Sequence, residues 1–282
     1  MNIHLGSILV GYDGSADSVH ALSWADEMAG KAPRPLHVLI SSVDRTQVFE
    51  FGHDWHVAKM ARLESDARDR LKESKAPEFS VAVVDDPPTA ALIDASDQAS
   101  LVVVGARGHS LLSGVLIGSV SQHVSQHSLC PVVVVRPPRH ALERVIVGVD
   151  GSPGSSAALE FAAERASRAG AALTVIHAWR SLSHGGGSVS GEPFEDRFHE
   201  ETQAAERVLS EAVAGLGETY PDVKVGTEAI PVSPSRCLAD ASAAASLLVV
   251  GSRGRGAFAG MLLGSTSQSV LHHAQCSVAV VR

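Results

Sequence analysis

Cysteine is scarce in this chain. Cys130, Cys237 and Cys276 are odd in number and form no CxxC pair. A disulfide framework is therefore excluded, and small buried hydrophobes are the expected role over redox chemistry. No apolar run approaches membrane-spanning length and no basic-flanked apolar segment opens the sequence, so no membrane is expected and the cytoplasm is the expected location. Basic residues are also in deficit: 23 Lys and Arg stand against 31 Asp and Glu, a formal charge of −8. That balance argues against nucleic acid or an anionic membrane as main partner, although local basic groups can still hold phosphate. With 45% hydrophobic and 19% charged residues, the 282-residue chain has the composition of a globular protein with two ordinary cores.

What the chain does have is a glycine pattern that occurs twice, each time after a run of apolar β-formers. Leu101–Val104 leads into Gly105-Ala-Arg-Gly108, nine residues, then Gly118-Ser119. Leu247–Val250 leads into Gly251-Ser-Arg-Gly254, nine residues, then Gly264-Ser265. Glycines allow close backbone approach to a ligand. A Gly-Ser opening a helix offers free N–H groups and the positive dipole end to a phosphate. The duplication extends further. Val10-Gly-Tyr-Asp-Gly-Ser15 recurs as Val147-Gly-Val-Asp-Gly-Ser152, and Cys130–Arg136 recurs as Cys276–Arg282. The offset is 137 at the aspartates (150 minus 13) and 146 at the loops (251 minus 105), so nine extra residues lie inside the second copy, much of them in Ser183–Gly191. Two copies of this length are two domains and not a solenoid, expected at 1–138 and 139–282 on either side of Arg136-Pro-Pro-Arg-His140.

Within each copy, strands alternate with helices. Ile8–Asp13 reads as a buried strand ending at a polar turn, with a helix after Asp17; Leu36–Ile40 is the second strand, matched by Leu173–His177. Helices are expected around 54–75 and 195–214, at 89–98 and at Ser119–His127; further strands are expected at Phe79–Val84, Leu101–Val104, Pro131–Val135 and Ser277–Val281. Nearly continuous apolar strands indicate an α/β fold: two tandem Rossmann-like domains, each a five-stranded parallel sheet with helices on both faces. Ligands of such sheets bind at the carboxyl ends of the strands, which brings together the Asp13 turn, Ser41 and the Gly105 loop, and in the second copy Asp150, Ala178 and Gly251.

A dinucleotide-binding GxGxxG would follow the first strand, whereas these glycines follow the fourth. A P-loop needs GxxxxGK[ST], and the only Gly-Lys, Gly30-Lys31, continues into Ala32. Neither class applies. The chain resembles the ATP-binding branch of the universal stress protein family, in a tandem form similar to those of actinobacteria, over essentially its whole length. That family's G-x2-G-x9-G-[ST] motif is matched by Gly105, Gly108, Gly118 and Ser119, and by Gly251, Gly254, Gly264 and Ser265. The resemblance implies ATP at each domain: Asp13 and Asp150 at the adenosine end, backbone near Ser41 and Ala178 at the adenine, and the loops with the Ser119 and Ser265 hydroxyls at the phosphates. Val120 and Thr266, next in line, belong to the same expected nucleotide-binding set. The G-x-P step frequent in the family after the third strand is replaced by Asp86-Pro-Pro88 and Val232-Ser-Pro234. The fifth strands would pair at the sheet edges by the same resemblance, within the chain, with dimerisation of whole chains as an extension.

Alternatives stand beside several of these residues. Arg107, Arg253 and Arg255 either pair with phosphate, point into solvent or meet an interface. Asp13 and Asp150 serve a ligand or a helix cap; Gly11 and Gly148 serve a ligand or close packing. Of the 14 histidines, His123 and His127 share a helix face without a HExxH carboxylate, and His53 and His56 are placed in a variable loop, so no metal site is expected. His272 and His273 are adjacent and point to different parts of a helix surface.

Gly105–His127 and Gly251–Gln275 contain neither Asp nor Glu. Phosphoryl transfer ordinarily needs carboxylates for Mg²⁺ and a group that orients the nucleophile. The expected function is therefore regulatory ATP binding, with Mg²⁺ as an accessory at most, slow or absent hydrolysis, and a protein partner that reads occupancy. A true ATPase or adenylyl-transferring enzyme drawing on loops 44–56 and 180–199 is the enzyme alternative. A nucleotide-free interaction module is the other.

Overall fold

In the computed structural model, residues 4–43, 53–108, 117–137, 144–181, 194–256 and 262–282 are described. The chain divides into two compact units, Met1–Pro137 and Pro138–Arg282. Ser183–Gly191, where the extra residues of the second copy were expected, lies outside the described residues.

The first unit runs β1 (Ser7–Gly11), α1 (Ala16–Lys31), β2 (Leu36–Ser41), α2 (His53–Arg70), β3 (Phe79–Val84), α3 (Pro88–Ala95), β4 (Ala99–Gly105), α4 (Ser119–His127) and β5 (Val132–Val135). All pairings are parallel, in the order β3-β2-β1-β4-β5, with Ile8 opposite both Leu36 and Leu101. Leu9, Val10, Val38, Ile40, Val102 and Val103 are fully buried, as strands covered on both faces require.

The second unit repeats this plan with β6 (Arg144–Gly148), α5 (Pro153–Ala169), β7 (Ala172–Ala178), α6 (Phe194–Val213), α7 (Leu216–Thr219), β8 (Val225–Ile230), α8 (Pro234–Ala241), β9 (Leu247–Gly251), α9 (Ser265–His273) and β10 (Ser277–Val281). Its order is β10-β9-β6-β7-β8, again parallel. In each unit the chain builds outward in one direction from the first strand and then returns to its other side. The switch points therefore lie between β1 and β4 and between β6 and β9, where open α/β sheets leave a crevice.

Local chemistry sets the element ends. Ser15 and Ser152 cap α1 and α5, each hydroxyl accepting the N–H three residues on at 3.2 Å. Gly170 ends α5 in the left-handed region at φ 65°, which favours glycine. Pro88 and Pro234 each open a helix, where a missing donor costs nothing. One expectation is corrected. His53 and His56 belong to the start of α2 and not to a loop: the helix begins at His53, with the acidic Asp54 in its first turn. The four-residue α7 is too short for any periodicity, and follows the left-handed Gly215.

Candidate functional site

The polar turn after β6 is built around Asp150. Its Oδ1 accepts the Ser152 N–H at 3.0 Å and the Ser152 hydroxyl at 2.5 Å. Its Oδ2 accepts the Arg255 N–H at 2.8 Å, so one carboxylate joins the helix cap to the glycine loop after β9. Burial alone would raise its pKa. The hydrogen bonds from Ser152, the Arg255 amide and Ser155 outweigh it and hold Asp150 below the ordinary carboxylate value. In the first unit Asp13 Oδ1 accepts the Ser15 N–H at 2.9 Å in the same way. Both turns pass through a left-handed glycine, Gly14 at φ 80° and Gly151 at φ 77°.

The glycines of the loop divide into two kinds. A Cβ on Gly251 would lie 2.7 Å from the Gly154 carbonyl oxygen, and one on Gly105 would lie 2.6 Å from the Asp17 backbone. A Cβ on Gly254 would lie 2.3 Å from Asp150 Oδ2, and one on Gly108 would lie 2.7 Å from Asp13 Oδ2. The first two meet backbone and are required by the protein's own packing, while the other two meet the tip of the carboxylate that organises the turn. Gly264 is different: its nearest neighbour would be the Arg253 Cα at an ordinary 3.6 Å. For Gly118 the nearest is the Ala106 carbonyl oxygen at 3.4 Å. Gly11 and Gly148 lie against leucines: a Cβ on them would come 3.0 Å from Leu92 Cδ1 and 2.6 Å from Leu238 Cδ1.

Gly118 and Gly264 are also the caps of α4 and α9, and neither helix has a side-chain cap. The opening amides of these helices thus present uncompensated N–H groups and the positive end of the dipole. Each helix is fastened to the preceding loop by matching bonds. Gly118 N–H donates to the Ala106 carbonyl and Gly264 N–H to the Ser252 carbonyl, both at 2.7 Å. The Ser121 hydroxyl donates to the Gly105 carbonyl and that of Ser267 to the Gly251 carbonyl, both at 2.6 Å.

In the second unit these parts enclose a cavity of about 290 Å³ at the β6/β9 switch point. Every second-copy residue singled out from the sequence lies on its wall: Gly148, Asp150, Ala178, Gly251, Arg253, Gly254, Arg255, Gly264, Ser265 and Thr266. The sequence reading missed the apolar side of the wall, notably Ile176, Leu238 and Val250, and also Pro234. Their apolar periodicity marked them as core, which gave no sign that they also border a cavity. Asp150 is the sole carboxylate among the lining residues, against two guanidinium groups.

The first unit brings Asp13, Gly105, Arg107 and Gly108 together in the same way, with one difference. Asp17 Oδ2 accepts both the Arg107 N–H at 3.1 Å and its Nε–H at 3.2 Å. Ser41 ends β2, and its hydroxyl donates to the Asp86 carbonyl at 2.6 Å. Ser119 and Val120 open α4.

The histidine pairs stay outside this geometry. His123 and His127 stack at 6.2 Å, and each Nδ1–H donates to a carbonyl one turn back, those of Ser119 and His123. His273 does the same to Ser269, its ring tilted 52° from that of His272. Among the described residues no group of three or more His, Cys, Asp or Glu could hold a metal ion. The three cysteines are buried and unbridged. Among the described residues no helix is long and apolar enough to cross a membrane.

A model of the Universal stress protein family matches residues 5–136 and again 141–282. Universal stress protein Rv2005c of Mycobacterium tuberculosis is 36% identical over 292 residues, covering 98% of this chain and 96% of that protein. A universal stress protein of Mycolicibacterium smegmatis is 35% identical over 289 residues, covering 98% and 96%. Among solved structures, a universal stress protein from Archaeoglobus fulgidus superposes with a TM-score of 0.69 at 24% identity, covering 100% of this chain and 98% of that one, and shares its fold. The chain belongs to the universal stress protein family and carries that family's module twice in tandem.

Proposed function

We propose that this protein binds adenine nucleotide, ATP foremost, at the switch-point crevice of each unit, and acts as a regulatory binder in the cytoplasm whose occupancy a protein partner reads. One observation carries the reading. The helix opening at Gly264 presents uncapped amides to a cavity lined by Arg253 and Arg255, and the protein's own packing does not require a glycine there. Ile176, Ala178 and Leu238 supply an apolar wall suited to a base. The carboxylate inventory supports slow or absent turnover. Asp150 already spends both oxygens on internal donors, which leaves little to hold Mg²⁺ or orient water. Any Mg²⁺ would arrive on the phosphates.

The test is to release and count small molecules from gently purified protein, then titrate ATP into protein freed of them. Binding of about two ATP per chain is expected, with Gly264→Ala removing one site while leaving the ligand-free fold intact. Phosphate release at ordinary enzyme rates, ~1 per second or more, would favour the enzyme alternative. Protein that is empty and takes up no ATP would leave an interaction module.

A further inference from the structure

The two units repeat each other closely, yet they differ in charge where the glycine loop meets the first helix. In the first unit that position is Asp17, its side chain 8% exposed, and its carboxylate takes both the amide and the guanidinium of Arg107. At the corresponding place in the second unit stands Gly154 (154 minus 17 is the same 137 that relates the aspartates). There the loop moves in: the Arg253 carbonyl oxygen lies 2.8 Å from where a Cβ on Gly154 would be. No acidic side chain can occupy that space without displacing the loop.

The consequence is an unequal pair of sites. Among the described residues of the first, Asp13 and Asp17 stand against Arg107 alone, and that guanidinium is already neutralised by Asp17. The second sets one carboxylate, Asp150, against Arg253 and Arg255, both on the cavity wall. A guanidinium without an internal carboxylate is available for bidentate phosphate contact, whereas one held by aspartate must give up that pair first. Each added negative charge on a ligand is thus favoured in the second site and gains little in the first.

We propose that Asp17 and Gly154 set the phosphate preference of the two crevices: the second selects nucleoside polyphosphate, while the first discriminates little between polyphosphate and monophosphate. The proposal rests on nucleotide binding as put forward above. It makes Asp17 a specificity-determining residue that acts through Arg107.

Titration calorimetry of the full chain with ATP, AMP and adenosine tests it, the first site being read in Gly264→Ala and the second in Gly118→Ala. The ATP-to-AMP affinity ratio is expected to be larger at the second site. Asp17→Asn keeps an acceptor for the Arg107 amide but removes the charge; it should raise first-site ATP affinity about fivefold and leave adenosine unchanged. That gain should shrink as salt rises from about 0.05 to 0.5 M. Arg253→Gln should lower second-site ATP affinity by a similar factor, again sparing adenosine. Equal ratios at the two sites, or an Asp17→Asn effect that adenosine shares, would overturn the charge asymmetry with nucleotide binding intact. Failure of all three ligands to bind either site would overturn the nucleotide reading itself.

Discussion

His37 shows how much a single buried side chain can determine. It lies in β2, 3% exposed, where its Nε2 accepts the His4 N–H at 3.0 Å. Since Nε2 is an acceptor, Nδ1 carries the proton and donates to the Ser80 hydroxyl at 2.5 Å. Burial and the neighbouring His4 push its pKa below the ordinary histidine value, against the opposing pull of Glu78. The folded state therefore disfavours the charged ring, and below about pH 6.5 the unfolded chain binds the extra proton. The stability that neutral His37 contributes is complete above that pH and is lost as pH falls through the folded value. Denaturant midpoints measured from pH 7.5 to 5 should fall for the natural protein. They should fall less for His37→Thr, which installs the residue that the second copy has at Thr174. Parallel pH curves would assign the loss to other groups. Tyr12, raised to about 12 by burial and by its bond to Asp66, stays protonated throughout this range.

At the scale of elements, the caps of α1 and α5 look alike in sequence and differ in reach. Ser152 accepts the Ser155 N–H and also donates to Asp150, tying helix, turn and glycine loop into one unit. Ser15 accepts the Ser18 N–H, but its hydroxyl is directed at the Arg107 carbonyl, 3.4 Å away. Either serine replaced by alanine should cost about 1 kcal/mol of stability as a lost cap. Only Ser152→Ala should also weaken nucleotide binding at the second site, because Asp150 then loses a donor that positions it. Chemical denaturation together with calorimetric titration separates the two effects. An equal loss of affinity at both sites would contradict it.

For the whole molecule, the proposed binding at one crevice per unit predicts a ligand-dependent thermal response. Saturation at 100 times the dissociation constant stabilises a site by about 2.7 kcal/mol. Scanning calorimetry should show melting raised by ATP, and Gly264→Ala should remove part of that rise. The ligand-free melting temperature of this variant should stay within about 2 °C of the natural protein's, since its new Cβ meets only ordinary contacts. A large drop without ligand would mean that this glycine, like Gly251, serves packing.

The sequence by itself determined the α/β class, the duplication and the positions where strand ends meet glycine loops. Those follow from apolar runs, helix caps and glycine spacing, all of which act over a few residues. Only the tertiary structure decided which glycines are required by packing against the rest of the chain and which are not. Gly254 and Gly264 are indistinguishable as letters, and what separates them is whether the Asp150 carboxylate or only ordinary van der Waals neighbours lie where the Cβ would be. It likewise decided that Arg107 is claimed by Asp17, 90 residues earlier, while Arg253 and Arg255 line the cavity. Such pairings are long-range: they depend on how parallel strands bring distant turns to one edge, and local pattern carries no record of them.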